Sequence, residues 1–184
     1  MTPLFVCHAN ASRSMLAAYL YQHLCGAPAL SAGVYVGELA APTSLALLAL
    51  WGIDASAHRP TQLTRGLCDR ADALFVMGPH YIRRILMDYG GDLADKTYLF
   101  ADPFTRPSGL DNGEYQVNDP GFDPRPLWQI VPDYAWMRER VLAIRLAMLG
   151  QSPWRLIPAA EYLDVLSSVE PVEVPACKFP RKER

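Results

Sequence analysis

The strongest constraint on this chain lies in its first two dozen residues, where the hydrophobic period changes across one short loop. Leu4, Phe5 and Val6 form an apolar, partly β-branched run that ends at Cys7. From Ser14 onward Leu16, Leu20 and Leu24 recur every fourth residue, the spacing of one helical face. Between them lie His8, Ala9, Asn10, Ala11 and Ser12, all small or polar, followed by Arg13. A strand that feeds a tight loop onto a helix N-terminus makes an anion site. The first-turn N–H groups lack intrahelical acceptors there, and the helix dipole favours negative charge.

The residue types in that unit suit chemistry on a tetrahedral anion. A thiolate on Cys7 is stabilised by the helix N-terminus and by the Arg13 guanidinium. The loop amides and the planar fork of Arg13 offer bidentate contacts to a phosphate. Cys7 then sits beneath the phosphorus, and Ser14 is near enough in sequence to donate a hydrogen bond to the sulfur. Asn10 is one of the few non-glycine types that tolerates positive φ, which a loop curling its amides inward needs. The spacing alone also fits a buried cysteine followed by a surface arginine; the flanking strand and helix favour the site.

Composition narrows the partners. Net charge is −2 over 184 residues, so no global field draws the chain to nucleic acid or to an anionic membrane. The cysteines at 7, 25, 68 and 177 show neither a C-x-x-C pair nor metal-ligand spacing, and His8, His23, His58 and His80 are scattered. Neither a metal, a cofactor nor a disulfide framework is expected. The N-terminus has no basic region before its apolar run, and Leu45–Ile53, the longest apolar stretch, is too short to cross a bilayer. The expectation is a soluble cytoplasmic protein, monomeric or weakly dimeric.

Along the chain, strand and helix signals alternate. Strands are expected at Ala29–Gly33, Ala71–Met77 and Thr97–Phe100, and helices at Pro42–Leu50, near Thr61–Cys68, from Pro79 and from Pro132 to a stop at Gly150. That order predicts right-handed βαβ units in an α/β fold: three layers, with a four-stranded parallel sheet between helices. Ligands of such sheets bind at the strands' carboxyl ends, where Cys7 lies. Asp102 to Pro126 is a long proline-rich loop of the kind that is usually functional or disordered. Residues 1–150 form the expected domain, and 151–184, with its scattered prolines and basic end Lys178–Arg184, an extension wrapped on it and frayed at its end.

A phosphate ester needs its leaving oxygen protonated, and that loop offers two carboxylates, Asp102 and Asp119, each before a proline. Spacing does not choose between them. The motif Cys7-His8-Ala9-Asn10-Ala11-Ser12-Arg13-Ser14 resembles the signature loop of the low-molecular-weight protein tyrosine phosphatase family, which also carries it at the N-terminus. The similarity continues through Ser31-Ala32-Gly33, Gly52-Ile53-Asp54, His58-Arg59, Gln62-Leu63 and Leu74–Met77, and covers about residues 3 to 149. It implies Asp119 as general acid and base, Cys7 as nucleophile, Arg13 with the residue 8–14 loop as phosphate cradle, and Asn10, Ser14 and Ser31 as loop supports. It implies, as substrate, a phosphotyrosine-bearing protein or a small phosphate ester.

The chain departs from the family pattern at several places. Ala9 stands for a usual glycine, Ser12 for a second cysteine, Gly78 for an acidic residue, and Gly121-Phe122 for an aromatic pair. Ala11 is neither the bulky aliphatic of tyrosine phosphatases nor the threonine of arginine phosphatases. Two rival readings remain on the same fold: a catalytically weak anion-binding regulator, and a thiol-coupled arsenate reductase. The latter needs two further cysteines near the site.

Overall fold

The computed structural model describes residues 1–107 and 115–167. Four strands, β1 (Pro3–Cys7), β2 (Leu30–Gly33), β3 (Ala73–Val76) and β4 (Thr97–Leu99), form one parallel sheet in the order β2-β1-β3-β4. The central strands β1 and β3 are buried at every position, as strands covered on both faces must be. Among the described residues six α-helices accompany them: α1 (Arg13–Cys25), α2 (Pro42–Leu50), α3 (Arg65–Arg70), α4 (Pro79–Tyr89), α5 (Leu127–Met148) and α6 (Leu163–Ser167). The step from β1 to β2 and the step from β3 to β4 run in opposite directions across the sheet. Right-handed crossovers therefore put α1 on one face, packed against α5, and α4 on the other. The resulting three-layer α/β/α architecture is the one expected.

Two helices begin elsewhere than the sequence suggests. The one expected near Thr61 starts at Arg65, because Thr64 caps it by accepting the Leu67 amide at 3.2 Å. Residues 61–63 instead run alongside the end of β2: Gly33 donates to the Thr61 carbonyl at 2.9 Å and Leu63 donates to the Gly33 carbonyl at 2.7 Å. The last long helix starts at Leu127, five residues ahead of Pro132. Pro132 forfeits one helical hydrogen bond, yet Ile130, fully buried, continues the stripe of Tyr134, Met137, Val141 and Ile144 by one turn. Burying that extra turn outweighs the lost bond. Gly150 ends the helix at φ 67°.

Residues 151–167 close the β4 side. Ala159 and Tyr162 are buried and join the same core as β4, and the Ile157 amide donates to the Pro103 carbonyl at 2.8 Å. An edge strand covered in this way presents no free ladder to another chain. The basic end, Lys178–Arg184, lies outside the described residues, as do Cys177 and part of the long loop. No helix among the described residues is long and apolar enough to cross a membrane.

Candidate active site

Cys7 ends β1 at the sheet's carboxyl edge, and the chain then turns through residues 8–12 into α1. Where the loop's polar groups go determines what it can bind. The carbonyls of Cys7, His8, Ala9, Ala11 and Ser12 accept from the amides of Val34, Tyr35, Gly37, Ala41 and Leu16 at 2.7–3.1 Å. The Asn10 carbonyl accepts from His58 Nε2 at 2.8 Å, which fixes the proton on that nitrogen. Six successive carbonyls thus face outward, and the amides of residues 8–12 have no protein acceptor among the described residues. Across a trans peptide each N–H points opposite to the preceding C=O, so these amides face the inside of the loop. Asn10 makes this curl possible at φ 55°, the one positive φ among the described non-glycine residues.

Side chains brace the loop from behind. Ser14 Oγ lies 3.0 Å from Cys7 Sγ and accepts from Asn10 Nδ2 at 2.9 Å, so its own hydrogen is free for the sulfur or for the Ala32 carbonyl at 3.4 Å. Asn10 Oδ1 accepts the Thr61 amide at 2.8 Å. Ser12, at the position where the resembling family carries a second cysteine, accepts from Ser44 Oγ at 2.8 Å. Gly33 lets β2 come this close: a Cβ there would meet the His8, Ala9 and Asn10 backbone at 2.7 Å. A Cβ at Gly37 would meet the Ala9 carbonyl oxygen at 3.3 Å and the Ala9 and Ala11 methyl groups at 3.4 and 3.5 Å.

Arg13 is buried at 6% exposure, and its guanidinium is divided between two edges. Nη1 donates to the Val117 carbonyl at 3.2 Å and Nη2 to Tyr81 Oη at 3.3 Å, while Nη2 also pairs with Asp119 Oδ2 at 3.1 Å. Nε is buried without a partner. Burial opposes the charge on Arg13, but Cys7, Tyr81 and Asp119 together hold its pKa above the ordinary value. Asp119 caps the 3₁₀ turn Pro120–Phe122, its Oδ1 accepting the Gly121 amide at 3.0 Å. The other candidate acid is elsewhere: Asp102 accepts the Phe104 amide and faces Arg140 at 4.0 Å.

Three imidazoles border the loop, and each has its pKa lowered chiefly by burial. His8 stands against the Tyr35 ring at 5.1 Å, His58 holds Asn10, and His80 is pushed down to about 4, with the charge of Arg13 adding to burial.

Cys7, Asn10, Arg13, Ser14 and Asp119 are therefore brought together at the carboxyl end of β1. Ser31 is not. It pairs with Phe5, two register steps below Cys7, and no hydrogen bond joins it to the loop among the described residues; Ala32 and Gly33 make the β2 contacts instead. Tyr81, Ser44, Thr61 and Val117 are partners that sequence reasoning missed. They lie 32 to 104 residues from their contacts, and only the tertiary fold connects them. Among the described residues no group of three His, Cys, Asp or Glu side chains is placed to hold a metal ion.

A family model described as low molecular weight phosphotyrosine protein phosphatase matches residues 3–131. The chain is 44% identical over 87 residues to a probable low molecular weight protein-tyrosine-phosphatase EpsP of Ralstonia solanacearum, a stretch that is 46% of this chain and 60% of that protein. It thus spans less than two thirds of that curated relative's length. The YwlE arginine phosphatase from Geobacillus stearothermophilus superposes with a TM-score of 0.66 at 25% identity, covering 82% of this chain and 97% of that one. Vibrio vulnificus Wzb in complex with benzylphosphonate shares the fold, with a TM-score of 0.62 at 23% identity over 78% of this chain and 95% of that one.

Proposed function

The chain belongs to the low molecular weight phosphotyrosine protein phosphatase family, and from that membership we propose a phosphomonoester hydrolase that works through a phosphocysteine on Cys7. One observation carries the reading: the carbonyls of residues 7–12 all accept from groups outside the loop, which leaves the amides of residues 8–12, like Nε of Arg13, without a protein acceptor among the described residues. Such a ring of fixed donors stabilises charge that develops on equatorial oxygens.

The substrate dianion displaces Asp119 from Arg13 and takes the Nε–Nη2 edge as a two-pronged contact. Released from Arg13, Asp119 takes up the proton of the Cys7 thiol; the Cys7 thiolate attacks phosphorus, the bond to the ester oxygen breaks, and Asp119 Oδ2 gives that oxygen the proton. Asp119 then takes a proton from water as its oxygen attacks phosphorus. The P–S bond breaks, and phosphate and the Cys7 thiolate are released. Ser14 donates to the sulfur as it becomes a leaving group. His8, Ala9, Asn10, Ala11 and Ser12 contribute backbone amides, with Asn10 and Ser14 holding the curve. A reducing cytoplasm suits a nucleophile that must stay a free thiol. Residues 1–150 carry this unit as a monomer or weak dimer, and 151–184 extend it.

A phosphotyrosine-bearing protein or a small phosphate ester is the proposed substrate. Purified protein should hydrolyse an aryl phosphate, Cys7→Ser should not, and inorganic phosphate should protect Cys7 from alkylation by iodoacetamide. A panel of phosphotyrosine peptide, phosphoarginine and small esters ranks the substrates. Phosphate protection without turnover on any of them would replace the hydrolase with an anion-binding regulator. Loss of both would overturn the site.

A further inference from the structure

Among the described residues Arg13 has one carboxylate partner, Asp119, and in the proposed reaction that carboxylate moves a proton twice and yields its place to the substrate. It cannot also be the strut that fixes the guanidinium. The remaining contacts lie on the far edge of the group: Val117 O on Nη1 and Tyr81 Oη on Nη2. Two bonds on one edge of a planar group fix both its position and its rotation, and leave Nε and the other Nη2 hydrogen for the anion.

We propose that Tyr81 is the positioning residue that aims Arg13 at the phosphate, independently of Asp119. This rests on the phosphatase reading of the site. Tyr81 is 2% exposed, near the start of α4, with its amide on the Gly78 carbonyl at 3.2 Å and its ring against His80 at 3.9 Å. The Arg13 guanidinium carbon also lies 6.0 Å from the Tyr81 ring centroid. Burial pushes the phenol up to about 12, against the pull of Arg13, so the hydroxyl stays neutral through both steps. A neutral strut holds the guanidinium without cancelling its charge. A resident carboxylate in its place would compete with the dianion for that charge.

Tyr81→Phe keeps the ring packed and removes only the hydroxyl. The variant should raise KM for an aryl phosphate and the inhibition constant of inorganic phosphate together, by about tenfold, as befits one hydrogen bond to a charged group. The dependence of kcat on leaving-group basicity, which reads Asp119, should keep its slope. A structural role alone would lower the melting temperature and leave the phosphate constant in place; that result, or constants within twofold of the unaltered protein, overturns the proposal. A second measurement needs no change at Tyr81: the ¹⁵N resonances of the Arg13 guanidinium should show hindered rotation that persists in Asp119→Ala. Averaging of those resonances in Asp119→Ala would make Asp119 the strut instead. If the unaltered protein binds phosphate but turns nothing over, the hydrolase reading fails, while the phosphate constants and resonances still decide the role of Tyr81.

Discussion

The Cys7–Ser14 loop and the β4 edge with residues 151–167 are both tightly held, by opposite means. Five of the seven buried polar or charged residues among those described are His8, Asn10, Ser12, Arg13 and Ser14, all in the loop. Buried polar groups cost free energy unless they find partners, so a loop built from them is held in the arrangement that pairs most of them, with Arg13 Nε and His8 Nδ1 left over among the described residues. The β4 side relies on Ala159, Tyr162 and Leu166 in the core. Its ion pairs, Arg106–Asp164 and Arg155–Glu161, are solvent-exposed and contribute little. The first region gathers polar and charged groups at the sheet's carboxyl edge, and the second covers the sheet with apolar side chains. Changes in the loop should therefore disable turnover in a folded protein, and changes at the edge should unfold a protein whose site is intact.

The largest expected effect is at Cys7. Serine there keeps the size of the side chain and loses the nucleophile, so turnover should fall by about 10⁴-fold or more with little change in melting temperature. A matching loss of stability would erase the contrast between the regions. Next comes the acid. Asp119→Ala should slow hydrolysis of an ester with a poor leaving group by about 10²- to 10⁴-fold and much less with a good one. Asp102→Ala, beside Arg140 and remote from the loop's contacts, should leave both rates nearly unchanged. The reverse ranking in steady-state assays would reassign the acid.

Much of the loop was legible because its determinants are local. The apolar run ending at Cys7, the leucines every fourth residue and an asparagine able to take φ 55° all sit within one short segment. The preference for Asp119 over Asp102 rests on family resemblance, since both precede proline. A resemblance carries a residue's position and not its register: Ser31 stands level with Phe5, two register steps below Cys7. The start of α5 was misread because Pro132 is a local signal against a helix, and the burial of Ile130 that overrides it is tertiary. The partnership of Tyr81 with Arg13, 68 residues apart, has no local signature at all.

At the edge, Tyr162→Ala would leave a cavity in a site that is 1% exposed and should lower stability by about 3–5 kcal/mol. Protein that remains folded at low temperature should keep its KM for an aryl phosphate within twofold. A raised KM would show that residues 151–167 shape the site as well as cover the sheet, and the two regions would merge into one.

The smallest effect is confined to acid pH, and it reverses the expected division by making part of the loop's surroundings a matter of stability. His80 titrates near 4 in the folded protein, because burial first and then the charge of Arg13 and His8 oppose its proton, against an ordinary value of 6.5. Asp119, which faces Arg13 and His8, works in the other direction on His8. A depressed folded-state value means that the unfolded chain binds the proton first as pH falls. The stability held with neutral His80 is complete above 6.5 and is lost progressively toward 4. His8 and His58 are shifted in the same direction and steepen the loss. Urea unfolding at pH 7.5 and pH 5 should show a clear drop for the unaltered protein and a smaller one for His80→Gln, with the two nearly equal in their response above pH 7. Equal drops in both would mean that His80 is solvated enough to titrate normally, and that the acid sensitivity belongs to His8 and His58 against the loop.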